Sequence, residues 1–318
     1  MKQLSFASLT YDYKKKQTKR EKFLKEMNQV VPWSRLIGLI EPYYPKAGKG
    51  RKPMPLEVML RIYCLQQWYG LSDPAAEESL YDMDSMRRFA GLELGEDAIP
   101  DETTILNFRH LLEKHQLTDA VFEEVKVYLE EQGLLLAGGS IVDATIVHAP
   151  SSTKNQDKKR DPEMSSTKKG NTWHFGMKAH ISVDAQSGLV HTVGVTTGKT
   201  HDAKVFNQLI RENDQAIFGD RGYVNEQLKA AARQAGVYWA VMEKAKAKKK
   251  LSASQYKRNK KHAAVRAKVE HIFRIVKCQF GYRKTRYRGI QKNAAQVFSL
   301  MALANLYQVR HKLGSCTG

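Results

Sequence analysis

Cysteine is scarce in this chain of 318 residues, in which only Cys64, Cys278 and Cys316 occur. An odd number of cysteines at such wide spacing indicates neither a disulfide framework nor the paired ligands of a structural zinc site. Long apolar runs are also missing, since no stretch of about 18 apolar residues is present to cross a bilayer. The N-terminal stretch MKQLSFASLTYDYKKKQTKR lacks the apolar middle of a signal peptide. We therefore expect a protein of the reducing cytosol.

Acidic residues are in the minority, because 33 aspartates and glutamates stand against 52 lysines and arginines, for a net charge of +19. Such an excess indicates a polyanionic partner, with nucleic acid favoured over an anionic membrane surface. Two lysine-rich runs, residues 154–169 and 244–261, are predicted to contact the DNA backbone, which gives affinity without sequence information. Each run also fits a solvated and partly disordered loop, and the two interpretations are compatible.

Three segments with different patterns divide the chain. Residues 1–54 are polar and basic and are predicted to form an exposed arm and linker. Residues 55–134 repeat their apolar positions with the period of helices, whereas residues 138–313 begin with the alternation of strands. The predicted fold is therefore α/β: an α-helical N-terminal domain precedes a mixed sheet flanked by helices.

The helical segment has two interpretations that the sequence leaves equally open. A helix that begins after Asp101 would expose Thr103, Thr104, Asn107 and Arg109, as in a helix-turn-helix domain that contacts DNA. The alternative is a bundle that serves packing or dimerisation. Residues 55–134 are accordingly predicted to be a DNA-binding or dimerisation domain.

Strands are predicted in SIVDATIVHA, TWHFGMKAHISVD and LVHTVGVTT, and further short strands in AIFGD and VYWAVME. The lysine-rich segment between the first two strands is too hydrophilic to pack and is predicted to be a loop. Trp173 opens an apolar alternation and is expected in the core, with stacking on a flipped base as the less favoured alternative.

Two aspartates occupy positions in strands where a charge needs a partner. Asp143 lies inside the first strand, where an unpaired carboxylate would be costly to bury. Asp220 closes AIFGD, at the end of a strand where ligands bind in open sheets. An exposed edge position for Asp143 and an Asx turn for Asp220 are the alternatives. Because a meander strand and the first crossover strand can be neighbours, we expect the two carboxylates to lie close together.

Glu270 is the one acidic residue in the basic stretch VRAKVEHIFRIVK. On a helix it shares a face with Arg266 and Arg274, so an exposed ladder of charges is one explanation. The other is that Glu270 joins Asp143 and Asp220 as a ligand of Mg²⁺, which prefers carboxylate oxygens. Two such ions support phosphodiester chemistry. Glu243 is the second choice for the third carboxylate.

The motifs around these residues resemble those of the DDE transposases of bacterial insertion sequences, specifically insertion-sequence family five. The first family motif, Asp followed two residues later by Thr, is matched at residues 143–145, and the second, Asp with Gly-Tyr just after it, at residues 220–223. The third motif is matched in register by Arg266, Glu270 and Lys277, while Ala263 stands where the family has tyrosine. The similarity extends over most of the chain.

This resemblance implies a ribonuclease H-like catalytic domain over residues 138–313. It implies two Mg²⁺ ions, with Mn²⁺ as a substitute, held by Asp143, Asp220 and Glu270. Lys277 would contact a phosphate, and Arg266 would orient Glu270 or bind DNA. Further DNA contacts are predicted for exposed basic residues, namely Arg274, Lys154, Lys168, Lys169, Lys248, Lys249 and Lys250.

The implied activity is cleavage at the terminal inverted repeats of an insertion sequence, followed by joining of the 3′-hydroxyl to target DNA. The partner would be double-stranded DNA, and the working form at least a homodimer because two element ends must be paired. A transposase-derived DNA-binding protein that no longer cuts is the alternative, and a metal-dependent nuclease without strand transfer is a third possibility. The expected location is the bacterial cytoplasm, at the nucleoid when DNA is bound.

Overall fold

A computed structural model describes residues 14–50, 52–156, 158–245 and 250–316. The predicted DNA contacts Lys248 and Lys249 lie outside these residues. None of the helices in the described ranges combines the length and the apolar surface that a membrane crossing requires.

Helices form the first half of the described chain, up to the first strand. They are α1 (Lys19–Val30), α2 (Trp33–Ile40), α3 (Leu56–Tyr69), α4 (Asp73–Asp82), α5 (Asp84–Ala90), α6 (Glu102–Lys114) and α7 (Leu117–Glu131). Local signals fix their ends. Thr18 and Glu21 form a capping box at the start of α1, Asp101 accepts a hydrogen bond from the backbone of Thr104 at the start of α6, and Gly70 ends α3 in the left-handed conformation.

The arm predicted for residues 1–54 was wrong over α1 and α2, which pack into the protein. Leu24, Met27 and Val30 of α1 and Leu36 and Ile40 of α2 are buried in the main hydrophobic cluster. These residues recur at three- and four-residue spacing, as on one face of a helix. The surrounding lysines and glutamates lower the mean hydropathy of the segment and conceal that face.

One mixed sheet contains the six strands of the described chain. They are β1 (Ser140–His148), β2 (Ser165–Lys169), β3 (Thr172–Asp184), β4 (Val190–Thr197), β5 (Ala216–Gly219) and β6 (Tyr238–Val241). Their order is β2-β3-β1-β5-β6, and β4 also pairs with β3. β1 is antiparallel to β3 and parallel to β5, and β5 is parallel to β6. The predicted mixed sheet is confirmed, with β1 and β5 as neighbours.

The lysine-rich segment before β3 ends in a strand and not in a loop, so that prediction was wrong over β2. β2 pairs antiparallel with the first five residues of β3, with Lys168 opposite Trp173. Gly170 has φ of +60° at the first position of the turn, as a two-residue type II′ turn requires. The segment has almost no apolar residues apart from the buried Met164. Without an alternation of apolar and polar residues, the sequence does not show that its backbone pairs with a strand.

The later helices cover the sheet. They are α8 (Phe206–Leu209), α9 (Glu226–Gln234), α10 (Ala253–Arg274) and α11 (Ile290–Cys316). α10 continues into a π-helical turn, Ile275–Gln279, before the chain leaves it. Between β4 and β5 the chain forms a 3₁₀ turn, Asp202–Lys204, and then the single turn of α8.

α11 lies between the N-terminal helices and the sheet, and packs against α1, α7 and β4. The Asn305 side chain accepts a hydrogen bond from the Val190 backbone nitrogen (2.8 Å) and donates one to its carbonyl oxygen (2.7 Å), which fixes α11 to β4. One hydrophobic cluster therefore contains residues from both sides of the boundary predicted near residue 136.

Truncation of α11 in this shared core should destabilise the helices and the sheet together. Leu306→Ala removes a fully buried side chain and should lower the free energy of unfolding by about 2–5 kcal/mol. The measurement is denaturant unfolding followed by circular dichroism and by tryptophan fluorescence, which samples the helices through Trp33 and Trp68 and the sheet through Trp173 and Trp239. Lys292→Ala, at an exposed position of the same helix, is the control and should change stability little. Two separate transitions in the parent protein would contradict a continuous core.

Candidate active site

Parallel pairing of β1 and β5 brings the two aspartates together. Ser140 pairs with Ile217 and Ile141 with Phe218, and the same register continued for two residues sets Asp143 beside Asp220. Neighbouring strands are about 4.8 Å apart, so the two carboxyl groups are side by side at the end of the β1–β5 pairing.

Each aspartate uses one oxygen to hold the local backbone. Asp143 Oδ1 accepts a hydrogen bond from the Ala144 nitrogen (2.8 Å), and Asp220 Oδ1 accepts one from the Gly222 nitrogen (2.7 Å). Asp220 thus forms the Asx turn that was its alternative explanation, while still lying beside Asp143. A Cβ atom at Gly222 would lie 2.9 Å from Asp220 Oδ1, so a side chain there would displace the carboxylate.

The electrostatic environment of Asp143 is unfavourable to its charge. Burial raises the pKa of Asp143, and the neighbouring Asp220 raises it further, whereas Arg266, the Ala144 N–H and Lys169 act in the opposite direction without cancelling the effect. The side chain is 18% exposed, so solvent reaches it in part. The cations around this half-buried pair of carboxylates therefore do not fully compensate its negative charge.

α10 crosses the same face of the sheet and contributes two cations to it. Val269, Ile272 and Val276 are buried against the core. Arg266 Nη2 donates a hydrogen bond to Asp143 Oδ2 (3.2 Å), and Lys277 Nζ donates to Thr145 Oγ1 and, at 3.4 Å, to the carbonyl oxygen of Ile146. Arg266 and Lys277, which both belong to the third motif, therefore donate hydrogen bonds to β1, the strand that carries Asp143.

Glu270 lies on the same helix one turn after Arg266 and two turns before Lys277. Its side chain is exposed and has no hydrogen-bond or ion-pair partner among the described residues, so the ladder with Arg266 and Arg274 is not formed. In the described part of the chain, no three acidic, histidine or cysteine side chains are close enough to hold a metal ion. The structure brings Asp143 and Asp220 together but leaves Glu270 apart from them.

The residues present suit a divalent cation of the Mg²⁺ type. All three carboxylates are oxygen donors, and Asp143 and Asp220 concentrate negative charge where Arg266 supplies only part of the compensation. Glu270 has no competing partner that would have to be released. These features fit a metal ion bound by the two aspartates, with Glu270 available as its third carboxylate ligand.

Two buried histidines of the sheet, His180 on β3 and His191 on β4, make separate contacts. His180 Nε2 forms a hydrogen bond with Thr196 Oγ1 (2.8 Å), and His191 Nε2 forms one with Ser140 Oγ (2.9 Å). Burial lowers the pKa of His180 to about 4 and that of His191 to about 3, so both rings are neutral at pH 7. They serve the core of the sheet and do not converge with the aspartates.

Glu243, the second choice for the third carboxylate, is bound to the first turns of α10. It accepts hydrogen bonds from Arg258 Nε (2.9 Å) and Nη2 (2.7 Å) and from Gln255 Nε2 (2.7 Å). Burial alone would raise its pKa, but the hydrogen bonds from Arg258 and Gln255 outweigh that effect and the pKa of Glu243 is lowered. Its position after β6 is also one strand further from Asp143 than Asp220 is.

The predicted DNA contacts fall into two groups by position. The charge of Lys169, at the end of β2, lowers the pKa of both Asp143 and Lys277. Arg274 instead borders a surface depression with residues of α11, away from the aspartates. Other predicted contacts are exposed, namely Lys154, Lys168 and Lys250.

Arg109 was wrongly predicted to face DNA, since only 6% of the residue is exposed. It donates hydrogen bonds to Glu113 (2.8 Å) and Asp73 (3.2 Å), and its guanidinium lies 4.2 Å from the ring centre of Tyr287. Thr103 and Asn107 on α6 are exposed as expected. The sequence does not reveal the aromatic partner, which comes from a distant part of the chain.

Trp173 was expected in the core and is instead 67% exposed. At this end β3 pairs only with β2, beyond the part of the sheet that the helices cover. Thr145 was noted only as part of a motif, yet it holds Lys277 in place. Thr145 is two residues after Asp143, as in the first family motif, and this spacing was the sequence signal for its contact with Lys277.

Two family models match the chain. A model described as "Transposase DDE domain" matches residues 136–306, which include all six strands, and one described as "Transposase domain (DUF772)" matches residues 11–111, across the boundary predicted at residue 54. No solved structure matches the chain. The first model spans more than half of the sequence and covers Asp143, Asp220 and Glu270. The sheet is therefore of the ribonuclease H-like type, and the chain belongs to the DDE transposase family.

Proposed function

We propose that this transposase belongs to insertion-sequence family five, binds the terminal inverted repeats of its element, cleaves the ends and joins the 3′-hydroxyl to target DNA. The observation that carries the proposal is the adjacency of Asp143 and Asp220 beneath Arg266, in a chain of net charge +19. A catalytic pair of acids inside a basic protein suits a polyanionic substrate whose reacting phosphate needs metal ions.

Asp143, Asp220 and Glu270 would hold the metal. When bound, Mg²⁺ activates the attacking water or 3′-hydroxyl and stabilises the leaving oxygen. Glu270 is exposed and has no partner among the described residues, so no contact of its side chain would have to break for it to join the two aspartates. Arg266 offsets part of the charge of Asp143 through a single hydrogen bond to its carboxylate, and it would exchange that bond for a DNA phosphate when a metal occupies the site.

Lys277 would position a phosphate beside the aspartates. Burial lowers its pKa, and the charges of Lys169 and Arg283 lower it further. Two of its three N–H groups are directed to Thr145 and Ile146, which leaves one donor for a phosphate oxygen. Lys168 and Lys169 would contact further phosphates of the same DNA strand.

A transposase-derived DNA-binding protein that no longer cuts is the second candidate. Two observations favour it: Glu270 does not join the aspartates among the described residues, and Asp143 is paired with Arg266. In that case Arg266 would be a permanent partner and DNA affinity would not depend on metal. In either case, two element ends require at least two copies of the chain.

Glu270→Gln should abolish strand cleavage if Glu270 is the third metal ligand, because the amide keeps the size and loses the charge that holds Mg²⁺. DNA affinity should stay unchanged or rise, and stability without metal should change by about 0.5 kcal/mol or less, since the side chain is exposed. The measurements are cleavage of labelled element ends and melting temperature with and without Mg²⁺.

Glu243→Gln is the matched control for this change. It removes the same charge from a carboxylate bound to Arg258 and Gln255, so it should weaken the start of α10 and spare cleavage. Cleavage by Glu270→Gln within a few-fold of the parent would reject Glu270, and loss of cleavage in Glu243→Gln alone would make Glu243 the third ligand. No cleavage by the parent protein, with intact DNA binding, would favour the non-cutting alternative.

Removal of the two β2 lysines should weaken DNA binding and its dependence on salt. Each phosphate contact contributes about 0.9 to the slope of log K against log salt, so Lys168→Gln/Lys169→Gln should reduce that slope by about two. Affinity is measured by titration of duplex DNA at several salt concentrations. Lys22→Gln/Lys25→Gln on α1 removes equal charge from exposed positions away from the aspartates. An equal loss in this control would mean that only net charge matters.

A further inference from the structure

A basic surface depression of about 390 Å³ lies between α10 and α11. His271 and Arg274 line it from α10, and Tyr307 and Arg310 line it from α11. Among the described residues, no acidic side chain lines it. A concave surface with basic groups, an aromatic ring and no acid suits a phosphate group as its ligand.

Two of these basic side chains have unused hydrogen-bond donors. His271 and Arg274 are exposed, and neither side chain has a hydrogen-bond or ion-pair partner among the described residues. Arg310 is already held, because its Nε donates to Glu26 Oε2 (3.0 Å) and its guanidinium lies 3.9 Å from the ring centre of Tyr307. His271 and Arg274 could therefore bind an anion without breaking any contact within the described protein.

The helix α10 separates this depression from the aspartates. Arg266, which binds Asp143, and Ile275, which borders the depression, are nine positions apart. At about 100° per residue, these two residues point to opposite sides of the helix. Because an α-helix with its side chains is about 10–12 Å across, the depression and the aspartates are two separate sites.

The order of charges on the exposed side of α10 also separates the two sites. Glu270 comes four residues after Arg266 and four before Arg274, and each such step moves about 40° round the helix. A DNA strand that passed from the aspartates to Arg274 would cross the exposed carboxylate of Glu270, which repels phosphate. This order favours two DNA segments, one on each side of α10.

We infer that the depression binds the phosphate backbone of a second DNA duplex, the target, while the element end lies at Asp143 and Asp220. The inference rests on the proposed function, which requires both kinds of DNA. Arg274 would bind phosphate oxygens through its planar guanidinium, and His271 would donate a ring N–H. Contacts of this kind carry no sequence information, so the site would accept a duplex of any sequence.

The test uses a donor-labelled and an acceptor-labelled copy of one short duplex of arbitrary sequence, without divalent metal, so that cleavage plays no part. A protein that holds both duplexes gives energy transfer between the labels. His271→Gln/Arg274→Gln should lower affinity for the second duplex by about tenfold or more and for the first by about twofold or less. Arg274→Lys, which keeps the charge but not the planar guanidinium, should give a transfer between those of the parent and the double variant.

Arg233→Gln is the matched control, because Arg233 is exposed on α9 and also has no ion-pair partner among the described residues. It removes one positive charge, as the change at Arg274 does, but from another helix. Energy transfer and both affinities should equal those of the parent. All the substituted side chains are exposed, so circular dichroism should show the parent fold in every variant.

Unchanged energy transfer in the double variant would overturn the inference, since the second duplex would then be bound by the β2 lysines or by a second copy of the chain. So would equal losses for the first and second duplex, or an equal loss of transfer in Arg233→Gln. Failure of the proposed cleavage activity is a separate result, because it is measured with Mg²⁺ and leaves the two metal-free affinities intact.

Discussion

Two carboxylates held side by side on neighbouring parallel strands are the constraint on which the rest of this structure depends. Asp143 and Asp220 repel each other, and burial adds to the cost of their charges. The backbone N–H groups of Ala144 and Gly222 each donate a hydrogen bond to one oxygen, and Arg266 and Lys169 offset part of the cost of the charge on Asp143. The fold keeps this unfavourable pair because the β1–β5 pairing and the core around it fix both strands.

Arg266, the cation that offsets the charge of Asp143 most, comes from a helix distant in sequence, so the electrostatics of the site depend on how α10 packs. Arg266 and Lys277 are eleven positions apart, and each donates a hydrogen bond to a residue of β1. Lys277 lies in the π-helical turn that ends α10, and such turns often occur at functional sites. The buried Val269, Ile272 and Val276 set the helix on the sheet, and the two cations follow from that placement.

Patterns that depend on neighbouring residues could be predicted from the sequence, whereas partners distant in the chain could not. Alternation predicted β1, β3 and β4 because each has a buried face, and the predicted adjacency of β1 and β5 followed from chain order. β2 was missed because its pairing uses the backbone of polar residues. Arg109 was misassigned because its partner Tyr287 comes from the other end of the chain, and the Arg266–Asp143 pair was hidden for the same reason. Trp173 was misassigned because the alternation of apolar and polar residues shows which face of a strand a side chain is on. It does not show whether another element covers that face.

The shared core has a consequence for how DNA would be held. α11 joins the N-terminal helices to the sheet, Arg109 contacts Tyr287, and Arg286 donates a hydrogen bond to the carbonyl oxygen of Leu71 (2.9 Å). The helical segment is thus bound to the catalytic segment through apolar, cation–π and hydrogen-bond contacts, and not through a linker alone. DNA that meets the exposed face of α6 would have a fixed direction relative to Asp143 and Asp220. If the chain cleaves DNA at the aspartates as proposed, the distance between a sequence bound by α6 and the cleaved phosphate would be set by the packing of α11.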